Sequence, residues 1–376
     1  MKFRVDRDAL AEGVAWAARS LPARPTVPVL AGLLLETGAD GLVLSSFDYE
    51  VSGRVGIDAD IQDQGRVLVS GRLLADITRS LPAQPVQVAT DGAKVVLTCG
   101  AARFSLLTLP VDDYPALPEL PGSSGTVGGA LLAAAVAQVA VAAGRDDALP
   151  TLTGVRVEIE GDTLTLAATD RYRLAVRELA WAPEQTGLSA TALVPARTLA
   201  DTAKALAGAG EVTLALSGAG SAETLMGFEG AGRRTTTRLI DGEFPKYRAL
   251  LPSESATLAA IEAAPFVEAV KRVALVAERN TPVRLSFTEG EVVLDASSGD
   301  EAAASESVEA RVTGDDISIA FNPQYLLDGL GAVEAPWVQI AFTTSTKPAV
   351  ITGKRDAEAT ADEAYRYLLM PVRISG

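Results

Sequence analysis

The sequence contains no histidine, and among its 376 residues there is a single cysteine, Cys99. Without histidine the chain has no Ser–His–Asp or Cys–His triad, no His-ligated zinc or haem, and no imidazole that titrates near neutral pH. One cysteine excludes disulfides within the chain and thiolate clusters, a pattern typical of a reducing compartment. These absences count against most hydrolytic and metal-dependent enzymes.

Long apolar runs are also missing. The most apolar stretch, residues 130–143, is rich in alanine and shorter than the roughly 20 residues that a bilayer requires. The first twenty residues are charged and then amphipathic, so they lack the apolar core of a secretory signal. We therefore expect a cytoplasmic protein with no membrane partner.

Positive charge is in deficit, with 33 Lys and Arg against 48 Asp and Glu and a net charge of −15. An acidic surface repels phosphates, which argues against indiscriminate binding of nucleic acid. The charge is unevenly distributed, however. Six predicted helices sum to +3, so the rest of the chain carries −18; they span residues 7–19, 71–80, 129–145, 196–207, 265–279 and 323–331.

A unit of about 120 residues is repeated three times along the chain. In each unit a helix leads to an apolar strand, a turn made of an acidic residue and glycine, and a second strand. Gly32 and Asp48 of the first unit correspond to Gly154 and Asp170 of the second, each 122 residues further on. The third unit repeats the pattern more loosely, with strands predicted over 283–295.

The second half of each unit contains a short helix with a Leu-x-Asp triplet, beginning at Leu74, Leu199 and Leu326, and further strands follow. Linkers rich in Pro, Gly and Ser separate the units, which predicts domains at 1–121, 127–252 and 256–376. Each unit has two helices to cover one face of a β-sheet. The predicted fold class is α+β, in three tandem copies.

Four separated segments carry a resemblance to a known family: ATDRYRLA at 168–175, LIDGEFPKYR at 239–248, FNPQYLLD at 321–328 and YLLMPVR at 367–373. They closely resemble the bacterial DNA sliding clamps, the beta subunits of DNA polymerase III, and the likeness covers all three repeats. The resemblance implies three clamp-fold domains per chain and a head-to-tail homodimer that closes a six-domain ring. Helices would line the hole around double-stranded DNA.

The resemblance also implies a tether without catalysis and without cofactors or metals. Its expected partners are the replicative polymerase alpha subunit, a clamp loader that uses ATP, and other replication and repair proteins. These partners would bind through short linear peptides. Such a tether would confer processivity on the polymerase.

The family's peptide pocket can be transferred position by position. It falls on Leu152, Thr169, Arg171, Tyr172, Arg173, Leu174, Pro245, Leu250, Asn322, Tyr325, Thr346, Met370, Pro371, Val372 and Arg373. The apolar members suit an apolar anchor, and methionine adapts to several partners. Arg173 and Arg373 are expected to hold polar groups of the peptide at the rim. Arg171-Tyr172 stands where the family often has Gly-His, and Ala249 where some members carry Arg, changes that bear on peptide preference.

The resemblance also implies which residues contact DNA and which lie between the two subunits. Arg24 matches a family position that touches DNA, and basic residues on the predicted helices extend this set to Arg24, Arg72, Arg197, Lys204, Lys271 and Arg272. The comparable loop 145–149 lacks the aromatic residues of some clamps. At the dimer seam, Arg103, Phe104 and Leu106 would meet Leu275, Val276 and Glu306 of a second chain. A head-to-tail ring requires two such different faces.

Two other functions are compatible with the residues alone. One is a hydrolase that uses paired carboxylates in a cleft between repeats, and the other is a tandem-repeat interaction scaffold with no role on DNA. The acidic pairs at 112–113, 146–147 and 315–316 lie beside turn residues, which favours solvated loops over metal or glycosidase sites. No glycine-rich loop has P-loop or Rossmann spacing. The sequence therefore favours the clamp.

Overall fold

The structure is a computed structural model that describes residues 1–39, 41–217, 224–277, 281–298 and 301–373. The chain folds into two compact units. Unit 1 comprises residues 1–131, 182–185 and 201–239, and unit 2 comprises 132–181, 186–200 and the chain from Ile240 onward. The middle third of the chain therefore contributes to both units.

The same order of elements recurs in each third of the described chain. The first third contains β1 (Lys2–Val5), α1 (Arg7–Ala17), β2 (Gly32–Gly38), β3 (Gly41–Phe47), β4 (Val51–Ile57), β5 (Ala59–Asp63), β6 (Gly65–Ser70), α2 (Gly71–Ser80), β7 (Val86–Asp91), β8 (Lys94–Cys99) and β9 (Ala102–Leu109). The middle third contains β10 (Ser123–Gly128), α3 (Gly129–Ala140), β11 (Gly154–Glu160), β12 (Thr163–Thr169), β13 (Arg173–Ala180), β14 (Ala182–Pro183), β15 (Ser189–Pro195), α4 (Ala196–Leu206), β16 (Glu211–Leu216), β17 (Leu225–Gly230) and β18 (Arg233–Arg238). The last third contains β19 (Thr257–Glu262), α5 (Ala263–Val273), β20 (Val283–Thr288), β21 (Glu291–Ser298), β22 (Ala302–Thr313), β23 (Ile317–Phe321), α6 (Pro323–Ala332), β24 (Trp337–Phe342), β25 (Ala349–Lys354) and β26 (Asp362–Leu369).

Unit 1 contains one antiparallel sheet in the order β14-β10-β16-β17-β18-β4-β3-β2-β6-β9-β8-β7-β1-β5. The strands of the middle third join those of the first third where β18 pairs with β4. At that seam the hydroxyls of Ser52 and Thr236 are buried and lie 2.6 Å apart. Helices α1 and α2 pack together and bury Leu10, Val14 and Leu74.

Unit 2 contains a second sheet in the order β15-β11-β12-β13-β26-β25-β24-β19-β22-β21-β20-β23. Here β13 pairs with β26, which sets Leu174 opposite Leu368. Helix α5 packs against α6. A Cβ atom on Gly329 of α6 would lie only 2.4 Å from the ring of Tyr367 on β26, so glycine is the residue that fits this approach.

Two of the helices, α1 and α6, begin at a polar side chain that caps them. The carboxylate of Asp6 accepts hydrogen bonds from the backbone N–H groups of Asp8 and Ala9, and Asn322 caps α6 in the same way. Some predicted helices end earlier than expected: α3 ends at Ala140 and not at residue 145, and α1 and α5 end at Ala17 and Val273, each followed by a single 3-10 turn. The α+β class is confirmed. Among the described residues, no helix is long and apolar enough to cross a membrane.

Candidate partner-binding site

All fifteen residues predicted for peptide binding lie in unit 2. Five of them, Leu152, Arg171, Tyr172, Arg173 and Tyr325, line one cavity of about 770 Å³. The rest of its wall is formed by Val141, Ala143, Gly144, Arg145, Asp146, Leu149, Asp170, Gln324 and Asp328. The structure thus brings together side chains that lie up to about half the chain apart in sequence.

The turn between β12 and β13 forms one side of this cavity. The Oδ1 atom of Asp170 accepts hydrogen bonds from the backbone N–H groups of Tyr172 (3.0 Å) and Arg173 (3.1 Å). The hydroxyl of Thr169 donates to the carbonyl of Arg173 at 2.6 Å. Between them, Arg171 has a φ of +80°, a left-handed conformation that costs an L-residue about 1–2 kcal/mol. The turn is therefore well determined, and it leaves the side chains of Arg171 and Tyr172 exposed.

Arg173 is buried at the base of the cavity, with only 5% of its side chain exposed. Its Nε donates to Asp170 at 3.0 Å, its Nη1 donates to the carboxylate of Asp328, and the guanidinium lies 4.4 Å from the centre of the Tyr325 ring. The rings of Tyr172 and Tyr325 are stacked, 6.2 Å apart. The structure thus places Arg173 at the base of the cavity and not at its rim, with its Nε and Nη1 groups bonded to two acidic partners. Its part in peptide binding remains a prediction.

An apolar cluster lies beside this network. Leu174 and Leu368 face each other across β13 and β26, and they pack in one buried group with Ala167, Val176, Leu193, Phe244 and Tyr247. Leu368 was not predicted from the sequence. The apolar run Tyr367-Leu368-Leu369 indicates a buried strand, but the contact of Leu368 with Leu174 comes from a strand pairing across 194 residues.

The segment that carries Pro245 and Leu250 is held to the sheet by a buried carboxylate. Glu158 on β11 accepts hydrogen bonds from the hydroxyl of Tyr247 (2.8 Å) and the guanidinium of Arg248 (2.6 Å). On the other side of the same carboxylate, the Nε of Arg156 donates at 2.5 Å. Together these groups surround a depression of about 310 Å³.

The charge state of Glu158 follows from this environment. Burial by itself raises the pKa of the Glu158 carboxyl, but hydrogen bonds from Arg248, Tyr247 and Arg156 outweigh it and hold the pKa below the ordinary value. Burial and the neighbouring carboxylate raise the pKa of Tyr247. At neutral pH the group is therefore an ionised carboxylate bound by a neutral phenol and two guanidinium groups.

The segment after β26 runs along the same region. The N–H of Met370 donates to the carbonyl of Tyr172 (2.9 Å), and the N–H of Val372 donates to the carbonyl of Ala320 (2.8 Å). The side chains of Met370 and Val372 remain exposed. These two bonds fix an apolar edge next to the Tyr172 turn.

Four other predicted residues are more peripheral. Pro371 and Arg373 follow the same segment, with Arg373 exposed. Asn322 acts as the N-cap of α6 and so orients Tyr325. Thr346 lies exposed in the turn between β24 and β25, with its hydroxyl 3.4 Å from that of Thr344, and it does not line the cavity.

The six candidate DNA contacts are all exposed side chains; Arg24, Arg72 and Lys204 lie in unit 1, and Arg197, Lys271 and Arg272 lie in unit 2. Arg72 donates to a backbone carbonyl of the loop after α1 at 2.9 Å. Lys271 pairs with Glu268 at 2.8 Å, and the Nε of Arg272 donates to Glu306 at 2.9 Å. The last pair joins a candidate DNA residue to a candidate dimer residue, so Arg272 is already partly neutralised by its neighbour.

The candidate dimer faces coincide with strand edges that have no partner strand in the described chain. Strand β9 pairs with β8 over 102–107 and with β6 only at Thr108 and Leu109, which leaves its other edge open from 102 to 107. Strand β22 pairs with β21 over 302–309 and with β19 only from Ala310. Leu106 is buried in the core, so its predicted place in the interface is not on the free surface; its neighbour Leu107 is 69% exposed. Leu275, beside β22, is 84% exposed.

Three sequence-family matches cover nearly the whole chain. Residues 1–118, 126–246 and 248–373 match the N-terminal, central and C-terminal domains of the DNA polymerase III beta subunit. The chain is 65% identical to the beta sliding clamp of Streptomyces coelicolor over the full length of both proteins. It is 49% identical to the beta sliding clamp homolog GriR of Streptomyces muensis, over 99% of each chain.

Solved structures agree with the sequence matches. The DNA polymerase sliding clamp of Bacillus subtilis superposes with a TM-score of 0.91 at 26% identity, covering all of both chains. The sliding clamp of Pseudomonas aeruginosa bound to griselimycin also gives 0.91, at 27% identity with full coverage. The fold and its three domains are thus those of the DNA polymerase III beta subunits, and the chain belongs to this family.

Membership of this family defines the function. The protein is a DNA sliding clamp of the replication machinery, a processivity subunit that catalyses no reaction of its own. The prediction from the four sequence segments is confirmed. The hydrolase and the scaffold without a DNA role are both wrong.

Proposed function

We propose that two copies of the chain associate head to tail into a closed ring around duplex DNA, and that the site in unit 2 holds partner proteins by short peptides. The observation that carries the ring is the pair of open strand edges, at β9 in unit 1 and β22 in unit 2. An exposed edge is an aggregation hazard unless another strand or a cover protects it. A second copy would satisfy both edges.

The two edges differ in sequence, so their contact is heterologous. The open edge of β9 includes Arg103 and the adjacent Phe104. The open edge of β22 consists of small and acidic residues, and the exposed Leu275 lies beside it. A heterologous contact gives a ring if its rotation closes. Two chains of three domains, which we place at 1–121, 127–252 and 256–376, would give six domains; the three family matches support that division.

The proposed partner site combines exposed apolar edges with a polar cavity. Met370 and Leu250 offer the apolar edges, the rings of Tyr172 and Tyr325 line the cavity, and Leu174 and Leu368 belong to the buried cluster that supports the turn and the last strand. Extended peptides with one or two apolar anchors suit such a groove. The replicative polymerase alpha subunit, the clamp loader and other replication and repair proteins are the proposed partners, and the cytoplasm is the proposed location.

The proposed DNA contacts are weak individually. Lys271 and Arg272 are paired with acidic side chains, and Arg72 is engaged with the backbone. A strongly basic surface would hold phosphates and make binding steeply dependent on salt. A mildly charged one permits sliding, and retention then comes from closure of the ring.

Retention on circular and linear DNA tests the ring. Clamp loaded with its loader and ATP should remain on a nicked circle for many minutes and leave a linear fragment of the same sequence quickly, unless both ends are blocked. The protein in solution should also have about twice the mass of the 38.9 kDa chain. Equal loss from circle and open fragment would contradict topological binding.

A further inference from the structure

We propose that the cavity lined by Arg145 and Arg171 is a carboxylate-selective subsite, which favours partner peptides that carry an Asp or Glu side chain near their apolar anchor. This inference rests on the proposed peptide-binding function of unit 2 and adds a preference for one class of peptide. The two arginines lie on separate segments, the loop after α3 and the turn between β12 and β13, and they line the same cavity of about 770 Å³.

The carboxylates of the cavity already have donors. Asp170 accepts two backbone N–H groups and the Nε of Arg173. Asp328 accepts from Arg173 and, at 2.7 Å, from the amide of Gln324. Asp146 accepts from a backbone N–H of its own loop at 3.0 Å. Both oxygens of Asp170 and of Asp328 are therefore bound by donors of the protein, whereas Asp146 is bound through Oδ1 alone.

The free groups are donors. Within the described parts of the chain, the guanidinium groups of Arg145 and Arg171 make no hydrogen bond or ion pair, and both side chains are exposed. The hydroxyls of Tyr172 and Tyr325 are likewise without a protein partner among the described residues. Burial, together with the charge of Asp170, raises the pKa of Tyr325, so its phenol remains a neutral donor. A carboxylate supplies the acceptors that this set lacks, and it can bind a guanidinium through two oxygens.

The backbone at Arg171 fixes where its side chain lies. Its φ of +80° is a conformation that glycine adopts without strain and arginine does not. Tyr49 has a similar conformation in the matching turn of the first third and does not line this cavity, so the strain belongs to the turn. In the second copy the turn places a guanidinium at the mouth of the cavity.

The shape and charge of the cavity favour a peptide over nucleic acid. Its wall includes the apolar side chains of Val141, Leu149 and Leu152, which suit an aliphatic neighbour of the acidic residue. Its base holds Asp170 and Asp328, which repel a polyanion but tolerate a single carboxylate placed beside the two arginines. A duplex is also too wide to enter a concave space of this size.

Fluorescence polarisation with synthetic peptides tests the subsite on the full-length dimer. The probes are fluorescein-labelled nine-residue peptides that end in a Leu-Leu anchor, with a single Asp, or its neutral isostere Asn, at each of the five preceding positions. At one position or two adjacent positions we expect the Asp peptide to bind about threefold more tightly than the Asn peptide, the size of a partly exposed ion pair. The ratio should fall toward one at 0.5 M NaCl because exposed ion pairs are screened.

Variants identify the groups responsible. Arg171→Gly removes the guanidinium without adding strain and should bring the ratio close to one, Arg145→Ala should reduce it, and Arg171→Lys should retain part of it. Arg54→Ala, at an exposed arginine of unit 1, should leave it unchanged.

Three results would overturn the subsite. Equal affinity for Asp and Asn peptides at every position would refute the acid preference and leave the peptide groove intact. Failure of all the peptides to bind would refute the proposed groove itself, and the subsite with it. Displacement of bound peptide by a single-stranded oligonucleotide, abolished by Arg171→Gly, would assign the cavity to nucleic acid instead.

Discussion

Asp48 in the first third of the chain and Asp170 in the second make the same pair of backbone hydrogen bonds, 122 residues apart. Asp48 accepts from the N–H groups two and three residues further on, at 3.0 and 2.7 Å, and Asp170 does so at 3.0 and 3.1 Å. The next residue is left-handed in both turns, with φ of +74° at Tyr49 and +80° at Arg171. The same turn structure therefore occurs twice in the chain, but only the second turn lines the cavity of unit 2.

Removing each aspartate should separate stability from partner binding. Asp48→Ala loses two hydrogen bonds, one exposed and one partly buried, and should cost about 1 kcal/mol in the free energy of unfolding. Asp170→Ala also leaves buried Arg173 with one acidic partner fewer and should cost about 3 kcal/mol. Only Asp170→Ala should weaken peptide binding. Urea unfolding and polarisation on both variants give the comparison, and equal loss of peptide affinity would contradict it.

The Glu158 carboxylate should make stability depend on pH in the acid range. The pKa of Glu158 is lower in the folded protein than in the unfolded chain, where it is near 4.5. Its contribution to the free energy of unfolding is therefore fully present above pH 4.5 and is lost as the pH falls through the pKa of the folded protein. Glu158→Gln should cost about 2 kcal/mol at pH 7, and this difference from the native sequence should shrink below pH 4. Urea unfolding at several pH values measures it.

The matched control for Glu158 is a half-exposed glutamate. Glu229 pairs with Arg234 at 3.1 Å on the sheet of unit 1, where 41% of its side chain is exposed, against 10% for Glu158. Glu229→Gln should change stability by less than about 0.5 kcal/mol at any of these pH values. A constant penalty for Glu158→Gln from pH 7 to pH 3 would refute the role of its ionisation.

The segment after β26 should be essential for partner peptides. Replacing Met370 and Val372 together by serine removes two exposed apolar edges beside the Tyr172 turn and should weaken peptide binding more than about tenfold. The dimer should stay intact in sedimentation. Val27→Ser, at an exposed valine of unit 1, serves as the control. Full peptide affinity in the double variant would show that Met370 and Val372 are not part of the peptide-binding site.

Leu275 should contribute to the dimer. Its side chain is 84% exposed in the single chain, beside the open edge of β22, and burying a leucine is worth about 2 kcal/mol. Leu275→Asp should therefore raise the dimer dissociation constant by about 30-fold or more. Sedimentation velocity across a dilution series reads this directly. Leu73→Asp, at an exposed leucine on α2, should leave the dimer unchanged, and equal dissociation of both variants would argue against a local contact.

Arg171→Gly should not destabilise the protein. Relief of the left-handed strain is worth about 1–2 kcal/mol, and the greater freedom of glycine in the unfolded chain offsets about 0.5–1 kcal/mol of it. The net expectation is a gain of up to about 1 kcal/mol, seen as a higher melting temperature. A clear loss of stability would mean that the arginine side chain makes a structural contact.

Local signals allowed much of the fold to be predicted. The cap at Asp6 and the buried spacing of Leu10 and Val14 indicate α1, and the offset of 122 residues between Asp48 and Asp170 indicates the repeat. The end of α3 was harder to predict from the sequence. Its last turns carry alanines that favour a helix, but the N–H of Gly144 bonds to the carbonyl of Leu152 and turns the chain away.

The site was harder to predict because it depends on contacts between distant segments. Arg173 looks like a charged turn residue in sequence, and only the approach of Asp328, 155 residues later, makes it a buried ion-paired group. Leu106 looks like an interface residue until the pairing of β9 with β8 turns it into the core. Such orientations depend on register, which a local pattern does not specify.

The middle third of the chain contributes strands to both units, and this limits which fragments of the protein can be expressed alone. Residues 127–252, expressed as a fragment, would lose β4 from beside β18 and β26 from beside β13. Both exposed edges would then be free to pair with other copies of the fragment. We therefore expect the middle repeat to be poorly soluble as an isolated fragment, because the repeats before and after it cover its edge strands in the whole chain.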